Sequence, residues 1–452
     1  MTSSDHDEAI ADGRDTSSVA VVGAEPTESA EASAIAAIAA PELLANSVSE
    51  YARLWARRVR SGDSGALPVV IGIIVLGAYF QLREHSFLSA SNIANLITQS
   101  GWIITIAMAQ AFILLLGEID LSVGFNAAIG GTIAVWMEAI NHPYPVWVAV
   151  LTALVVTAAI SAIEGLVIVW LRIPSFIVTL AGLLGLNGVL LWLYERTGNV
   201  GLGGVMRINP GTFLDKLTSA NLSPTVGWIL LAASIVVAAA MMVAKERRRR
   251  AHNLTTPPLG ITVLKLVLMT VIGAALVLVL SANRAVFGTL RGVPWVVPIV
   301  LGLLGVSSVI LSRTRFGRYE YAVGGNAEAA RRAGISLSRI RVTAFALCGV
   351  FAGISGILYA SELGSMSNNY PGGQYVLYSV AGCVIGGISL FGGRGRMLGA
   401  VLGGFVVAVI YNGVSILGLG DAGQYIWTAA VLLVAVTLDA LARRGTNSAT
   451  IH

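Results

Sequence analysis

Charged residues are scarce in this chain of 452 residues. Only 12% of the residues are Asp, Glu, Lys or Arg, whereas about a quarter is usual for soluble domains. Hydrophobic residues make up 56% of the chain. The composition therefore excludes an ordinary soluble globular protein and indicates a membrane protein.

Cysteine and lysine are also rare. Cys348 and Cys383 both lie in apolar segments, and we interpret them as small buried residues rather than as a disulfide or a metal site. None of the three lysines follows a glycine, so the chain has no G-x-x-x-x-G-K-[ST] phosphate-binding loop. No cluster of His, Cys or acidic residues has metal-ligand spacing, and no nucleophile elbow occurs. We therefore expect no ATP hydrolysis by this chain itself, no cofactor and no metal.

Long apolar segments fill most of the chain. A transmembrane helix needs about 20 apolar residues, so the sequence predicts an all-α polytopic membrane protein with about 10–12 transmembrane helices. Glycine is abundant, which allows close helix packing. Two of the segments, 121–140 and 376–391, either cross the membrane or re-enter from one side. The predicted segments are 68–82, 95–116, 121–140, 145–171, 174–194, 225–244, 260–281, 294–312, 341–361, 376–391, 397–417 and 424–441.

Basic residues occur in short clusters between the apolar segments. This pattern indicates the orientation of the segments in the membrane and is not typical of a nucleic-acid-binding surface. If all twelve segments cross, four clusters fall on one side, and the positive-inside rule places them and both termini in the cytoplasm. Residues 1–62 are predicted to form a disordered acidic tail with a basic end beside the membrane lipid. A transmembrane domain, 63–445, and a short tail, 446–452, follow. The clusters are 245–250, 313–341, 392–396 and 442–444.

The segment 313–341 contains the pattern of a two-turn helix. Asn326 is a favourable N-cap, Glu328 lies in the first turn, and Arg331 with Arg332 lies in the last turn. Gly334 can adopt the left-handed conformation that ends a helix. So short a helix is unstable alone in water, so it needs a packing partner. The segment is either a solvated connector or a cytoplasmic docking surface.

A second polar motif, GEIDLSVG at 117–124, places Glu118, Asp120 and Ser122 between two apolar segments. It is either a solvated cytoplasmic turn or a broken helix beside a translocation pathway, because acids at membrane depth are costly. Structural pairing or snorkelling is favoured for Glu164 and Arg172. Neutral polar residues also lie within the apolar segments, and the candidates for the pathway among them are Asn126, Asn187 and Asn412.

Three stretches together resemble one known family. They are GEIDLSVG at 117–124, GRYEYAVGGNAEAARRAGIS at 317–336, and VIGGISLFGGRGRMLGAVLGG at 384–404 with YNGV at 411–414. The chain from 68 to 441 is similar to the permease subunits of bacterial ABC importers for ribose, xylose and galactose, and most like the xylose-type branch.

The resemblance implies a type II ABC importer-like permease in the bacterial cytoplasmic membrane that carries a monosaccharide, with a pentose favoured. It further implies a second permease copy, a dimer of ATP-binding subunits and an extracytoplasmic sugar-binding protein as partners. The helix from Asn326 to Gly334 would seat in the ATPase, and Gly317, Gly324 and Gly325 would form the turn that presents it. The alternative class is an ion-coupled secondary transporter, in which Glu118, Asp120 or Glu164 would titrate or bind a cation.

Overall fold

A computed structural model describes residues 67–139, 144–196, 204–254, 256, 258–285, 288–420, 422–433 and 437, together with Glu50, Tyr51 and Arg53. Apart from those last three residues, the predicted tails 1–62 and 446–452 lie outside the described residues.

The described chain is mostly helical, which confirms the predicted all-α polytopic membrane fold. The helices are α1 Leu67–Arg83, α2 Ala90–Leu115, α3 Val123–Glu138, α4 Val146–Leu171, α5 Ser175–Arg196, α6 Phe213–Ser219, α7 Pro224–Ala251, α8 Leu259–Ser281, α9 Val296–Arg313, α10 Arg315–Gly325, α11 Ala327–Arg332, α12 Leu337–Leu363, α13 Gly372–Ile385, α14 Met397–Ile416 and α15 Ala422–Leu433. Eight of these helices are long and apolar enough to cross a membrane, namely α2, α4, α5, α7, α8, α9, α12 and α14, and α1, α13 and α15 are shorter apolar helices.

Local signals in the sequence set several helix ends. The Ser89 hydroxyl caps α2 by accepting a hydrogen bond from the Asn92 amide at 3.3 Å. Ser223 caps α7 in the same way, and Pro224 occupies the first helical position, where its missing N–H is not needed. At the other end of a span, Gly364 has a φ of 63° and ends α12.

The core of the bundle is formed by α2 and α12. Helix α2 is buried on nearly every side, and α12 packs against α2, α3 and α4. Glycines allow this close packing, because a Cβ at Gly356 of α12 would overlap the carbonyl oxygen of Ala127 in α3. Helices α5, α7 and α8 instead expose most of their apolar side chains, as expected for surfaces that face lipid.

The loops of the described chain meet in two groups. In the first group, β1 (Val205–Arg207) pairs with β4 (Ser365–Ser367), and β2 (Asn221–Leu222) pairs with β3 (Val293–Pro294), both antiparallel. All four strands belong to loops that the sequence places outside, and we call this the outer face.

The second group of loops forms the inner face. Its members come from 115–117, 324–325 and 392–395, where the Gly393 amide donates to the Leu115 carbonyl oxygen at 2.8 Å. The sequence places all of these loops on one side as well.

Segments α3 and α13 each connect the two faces, although neither is a full-length membrane helix. Helix α3 follows the inner-face loop at Leu115–Gly117, and its last carbonyl, that of Glu138, accepts from Asn209 of an outer-face loop at 2.9 Å. Helix α13 follows β4 on the outer face and precedes the inner-face loop. At 1.5 Å per residue its 14 residues reach only about 21 Å. In both segments a short helix is completed by non-helical chain.

Candidate functional site

The two-turn helix predicted in the polar segment 313–341 is present as α11. The Asn326 side-chain oxygen caps it by accepting from the Ala329 amide at 2.9 Å. The helix ends at Arg332, and Gly334 follows in the left-handed region with a φ of 81°. The N-cap and the terminating glycine are as predicted, because both depend only on residues within one turn.

Helix α11 projects from the inner face with a charged, exposed surface. Only Ala330 is buried, and it fastens the helix to the protein. The Glu328 carboxylate lies 2.7 Å from the Arg331 guanidinium and 3.1 Å from that of Arg332. Hydrogen bonds from these two arginines lower the pKa of Glu328. The side chains of both arginines remain more than half exposed, so they can still contact another protein.

The glycines before α11 do not form a turn, which corrects the expectation for Gly317, Gly324 and Gly325. All three lie within the eleven-residue helix α10. Thr314 caps this helix by accepting from the Gly317 amide at 3.2 Å. Tyr321 attaches the helix to the bundle by donating to the Gly395 carbonyl oxygen at 2.9 Å. Glu320 is buried, and its burial raises the pKa of that carboxyl well above its usual range. The charged helix α11 is therefore presented by a second helix that is itself attached to the bundle.

Main-chain atoms of three loops meet where α10 ends. A Cβ at Gly324 would overlap the carbonyl oxygen of Leu115, the last residue of α2, and would lie 2.7 Å from the Gly393 amide nitrogen. A Cβ at Gly392 would lie 2.7 Å from both the Gly117 nitrogen and the Gly324 oxygen. We call Gly117, Gly324, Gly392 and Gly393 the glycine junction. At this junction the polar segment contacts Leu115, two residues before the GEIDLSVG motif, and Gly392 lies between Gly324 and Gly117.

The acidic residues of GEIDLSVG are buried rather than solvated. The Asp120 carboxylate is fully buried, and its Oδ1 accepts from both the amide and the hydroxyl of Ser122 at 2.7 Å. Ser122 Oγ is also 2.8 Å from Oε2 of Glu164 on α4. A hydroxyl has one proton, so both contacts are hydrogen bonds only if one of the two carboxyl groups is protonated. This geometry rules out the solvated turn and supports the broken-helix alternative.

Residues distant in the sequence hold this motif in place. The Gln110 side-chain amide pairs with the Asp120 backbone, donating to its oxygen at 3.0 Å and accepting from its nitrogen at 3.1 Å. Glu118 forms an ion pair with Arg341 near the start of α12. Cys348 lies one to two turns further along α12 and contacts Asp120 at 3.5 Å. No spacing in the sequence indicates these partners.

The six candidate pathway residues lie at separate places in the bundle, and their role in a translocation pathway stays a prediction. Asn126 holds α3 to α4 by donating to the Thr157 carbonyl and the Ser161 hydroxyl at 3.0 and 2.9 Å. Asn412 lies nearer the outer face, with the partners described below. Asn187 lies half-buried on α5 and forms no hydrogen bond with any described residue.

Glu164 is paired, but with Ser122 instead of Arg172. Arg172 is the exposed left-handed residue that ends α4. The sequence-based preference for a structural pairing of Glu164 therefore holds, with a different partner.

Apolar helices long enough to cross a membrane, the buried acidic motif and a charged inner-face helix are the features of a multi-pass membrane permease subunit. A family model described as "Branched-chain amino acid transport system / permease component" matches residues 92–438. The chain belongs to this family of permeases.

Curated relatives match over most of their length. The xylose transport system permease protein of Escherichia coli K12 is 32% identical over 379 residues, which cover 83% of this chain and 92% of the relative. The ribose import permease protein of the same strain is 28% identical, covering 82% and 92%. The galactose/methyl galactoside import permease protein of Haemophilus influenzae is 26% identical, covering 83% and 92%. No solved structure matches the chain significantly.

Proposed function

We propose that this chain is the permease subunit of an ATP-driven ABC importer that moves a monosaccharide, with a pentose such as xylose favoured, by alternating access. It would act with a second permease copy, a dimer of ATP-binding subunits and an extracytoplasmic sugar-binding protein. The inner face and both termini would lie in the bacterial cytoplasm. The names of the relatives support the substrate class, since they are permeases for xylose, ribose and galactose.

The observation that carries the mechanism is the contact between the polar segment and the buried acidic motif. A movement of α11 is passed to α10, and the glycine junction then brings main chain against main chain at Gly324 and Leu115. Atoms of the main chain cannot rotate away as side chains can, so a displacement of α10 has to move the end of α2 or the adjacent loop. That loop leads directly into Glu118 and the start of α3.

The exposed arginines of α11 are the proposed contacts to the ATPase, together with Glu328 and the cap residue Asn326. Changing Arg331 and Arg332 together to Glu reverses the charge of this surface while leaving buried Ala330 in place. We expect the double variant to fold normally and to lose ATP hydrolysis stimulated by the binding protein, measured with the reconstituted complex. Arg247 and Arg248, which are also exposed and belong to another cluster of the predicted inner face, provide the matched control when both are changed to Glu. Normal stimulation in the Arg331/Arg332 variant would rule out the docking role.

A second candidate function is ion-coupled secondary transport. The arrangement of Asp120, Ser122 and Glu164 favours it, because two carboxyl groups around one hydroxyl can hold an additional proton. The two mechanisms differ in their energy source. Uptake of labelled xylose that persists without the ATPase partner and collapses with the proton gradient would establish the second candidate.

A further inference from the structure

An open cavity of about 580 Å³ lies on the outer face, away from the acidic motif. Its wall is formed by the α1–α2 loop, one side of α2, residues near β2, Arg284 after α8, and Glu362 at the end of α12. Its volume is within the roughly 300–1,000 Å³ typical of sites for small molecules. The polar residues of the wall are mostly hydroxyls and amides, with one cation and one anion.

One side of α2 supplies a polar stripe to this cavity. Ser91, Asn95 and Thr98 are spaced at i, i+4 and i+7, so they share one face of the helix. Ser91 and Asn95 are exposed, although α2 is otherwise the most buried of the long helices. The Asn95 amide forms no hydrogen bond with any described residue. A side-chain amide without a hydrogen-bond partner is costly on a membrane helix unless it contacts water or a solute.

The two charged groups of the wall also retain unused hydrogen-bonding capacity. Oε2 of Glu362 is buried and accepts no hydrogen bond from the described residues. Arg284 donates to the carbonyl oxygens of Leu280 and Gly292 and to the Asn221 side chain at 2.6, 3.1 and 3.1 Å. These bonds use three of the five guanidinium N–H groups. No ion pair within the described chain joins Arg284 to Glu362, so each can still bind a ligand.

Below the cavity, polar and aromatic side chains continue towards the centre of the bundle. Asn92, which lines the cavity, exchanges hydrogen bonds with Asn412 at 2.9 and 3.1 Å, and Asn412 also donates to Gln99 at 2.9 Å. The Trp102 ring is 5.8 Å from that of Tyr411, edge to face. The indole N–H of Trp102 is buried and has no acceptor among the described residues. The centre of the bundle therefore holds amides and an unused donor immediately inside the cavity.

We propose that this cavity binds a neutral monosaccharide on the outer face of the protein. Glu362 would accept from one sugar hydroxyl, and Arg284 would donate to its neighbour. Hydroxyls of a sugar are donors and acceptors at once, so a wall with one charge of each sign and several amides fits them better than it fits an ion. This inference rests on the proposed function, because it takes the substrate class from it.

The test is protection of an introduced cysteine in the full-length protein. Asn95→Cys places a thiol in the cavity, while the native Cys348 and Cys383 are fully buried and unreactive by comparison. D-xylose, D-ribose and D-galactose should each be titrated against the rate of maleimide modification. The control is Arg207→Cys, an exposed position on β1 of the same face. We expect a saturable slowing at Asn95→Cys with at least one sugar and none at Arg207→Cys.

A second change on the Asn95→Cys background assigns the protection to the cavity. Glu362→Gln should raise the sugar concentration needed for protection by roughly tenfold to a hundredfold, as expected for loss of a hydrogen bond to a charged group. Glu195→Gln, an exposed carboxylate at the outer end of α5, should leave it unchanged. If Glu362→Gln fails to fold, Arg284→Gln takes its place with the same expected shift.

The inference is overturned if no sugar protects Asn95→Cys, or if protection is unchanged by both cavity variants. Uptake of labelled sugar by wild-type protein with its partner subunits is measured separately. ATP-dependent uptake without protection would refute the sugar site in the cavity and leave the proposed function intact. Protection without uptake would confirm the sugar site and refute the proposed transport function.

Discussion

The glycine junction makes a specific prediction about Gly324. Replacing this residue by Ala adds one methyl group, which would overlap the Leu115 carbonyl oxygen and lie 2.7 Å from the Gly393 amide nitrogen. Both obstructing atoms belong to the main chain, so no side-chain rotation can relieve the overlap. The Leu115 carbonyl also accepts the hydrogen bond from Gly393 that joins the two loops.

The size of the effect follows from two opposing terms. Ala is favoured over Gly in a helix interior by about 1 kcal/mol. Overpacking against a well-packed site costs about 1–3 kcal/mol, and main-chain obstruction puts this case in the upper part of that range. The net effect destabilises the contact between α10 and the end of α2 by about 1–2 kcal/mol. This changes the equilibrium between the packed and the displaced position of α10 by a factor of roughly 5–30. Gly324→Ala should therefore weaken the contact between α10 and the end of α2.

Gly325 is the matched control, because it is the next residue in the same helix and a Cβ there would meet nothing within 4 Å. Neither glycine has a positive φ, so the comparison is purely steric. In proteoliposomes with the partner subunits, we expect Gly324→Ala to lower sugar uptake per ATP hydrolysed and Gly325→Ala to match the wild type. Thermal unfolding should show lower stability for Gly324→Ala only. Equal behaviour of the two variants in both assays would refute the role assigned to the junction.

Two further predictions concern the acidic motif and the N-terminal tail. Ser122→Ala removes the hydroxyl between Asp120 and Glu164 and should lower the free energy of unfolding by about 1–3 kcal/mol. Ser312→Ala, which removes an exposed helix hydroxyl, is the control, and equal thermal stability of the two variants would contradict the pairing. Deletion of residues 1–50 should leave uptake nearly intact, and a well-expressed but inactive truncation would show that the tail is needed.

The membrane fold and α11 were accessible to sequence reasoning for different physical reasons. Apolar length alone identifies a crossing segment, since the bilayer requires about 20 apolar residues of helix. The ends of α11 depend on contacts within one turn, as between Asn326 and the Ala329 amide. Helix α10 was missed because Gly324 and Gly325 are typical of turns in water, whereas here they are needed for contact with Leu115 and Gly393.

The residues of the acidic motif could be only partly understood from the sequence. Glu118 and Asp120 were identified because acids are rare at membrane depth. Their partners were not identified, because Arg341 is 223 residues from Glu118 and Cys348 is 228 residues from Asp120. The residues of the outer cavity were missed as well, since hydroxyls and amides on a helix such as α2 are not distinctive until the neighbouring elements enclose them.

The sequence alone was enough to establish a polytopic membrane protein in which a charged, capped helix interrupts the apolar segments. Those properties come from composition, from apolar length and from interactions between near neighbours. Only the tertiary structure decided that this helix is joined to the acidic motif through main-chain contacts, and that Asp120 and Glu164 share the Ser122 hydroxyl. These contacts depend on how α2, α4, α10 and α12 pack together, and packing of distant elements is not encoded in any local pattern.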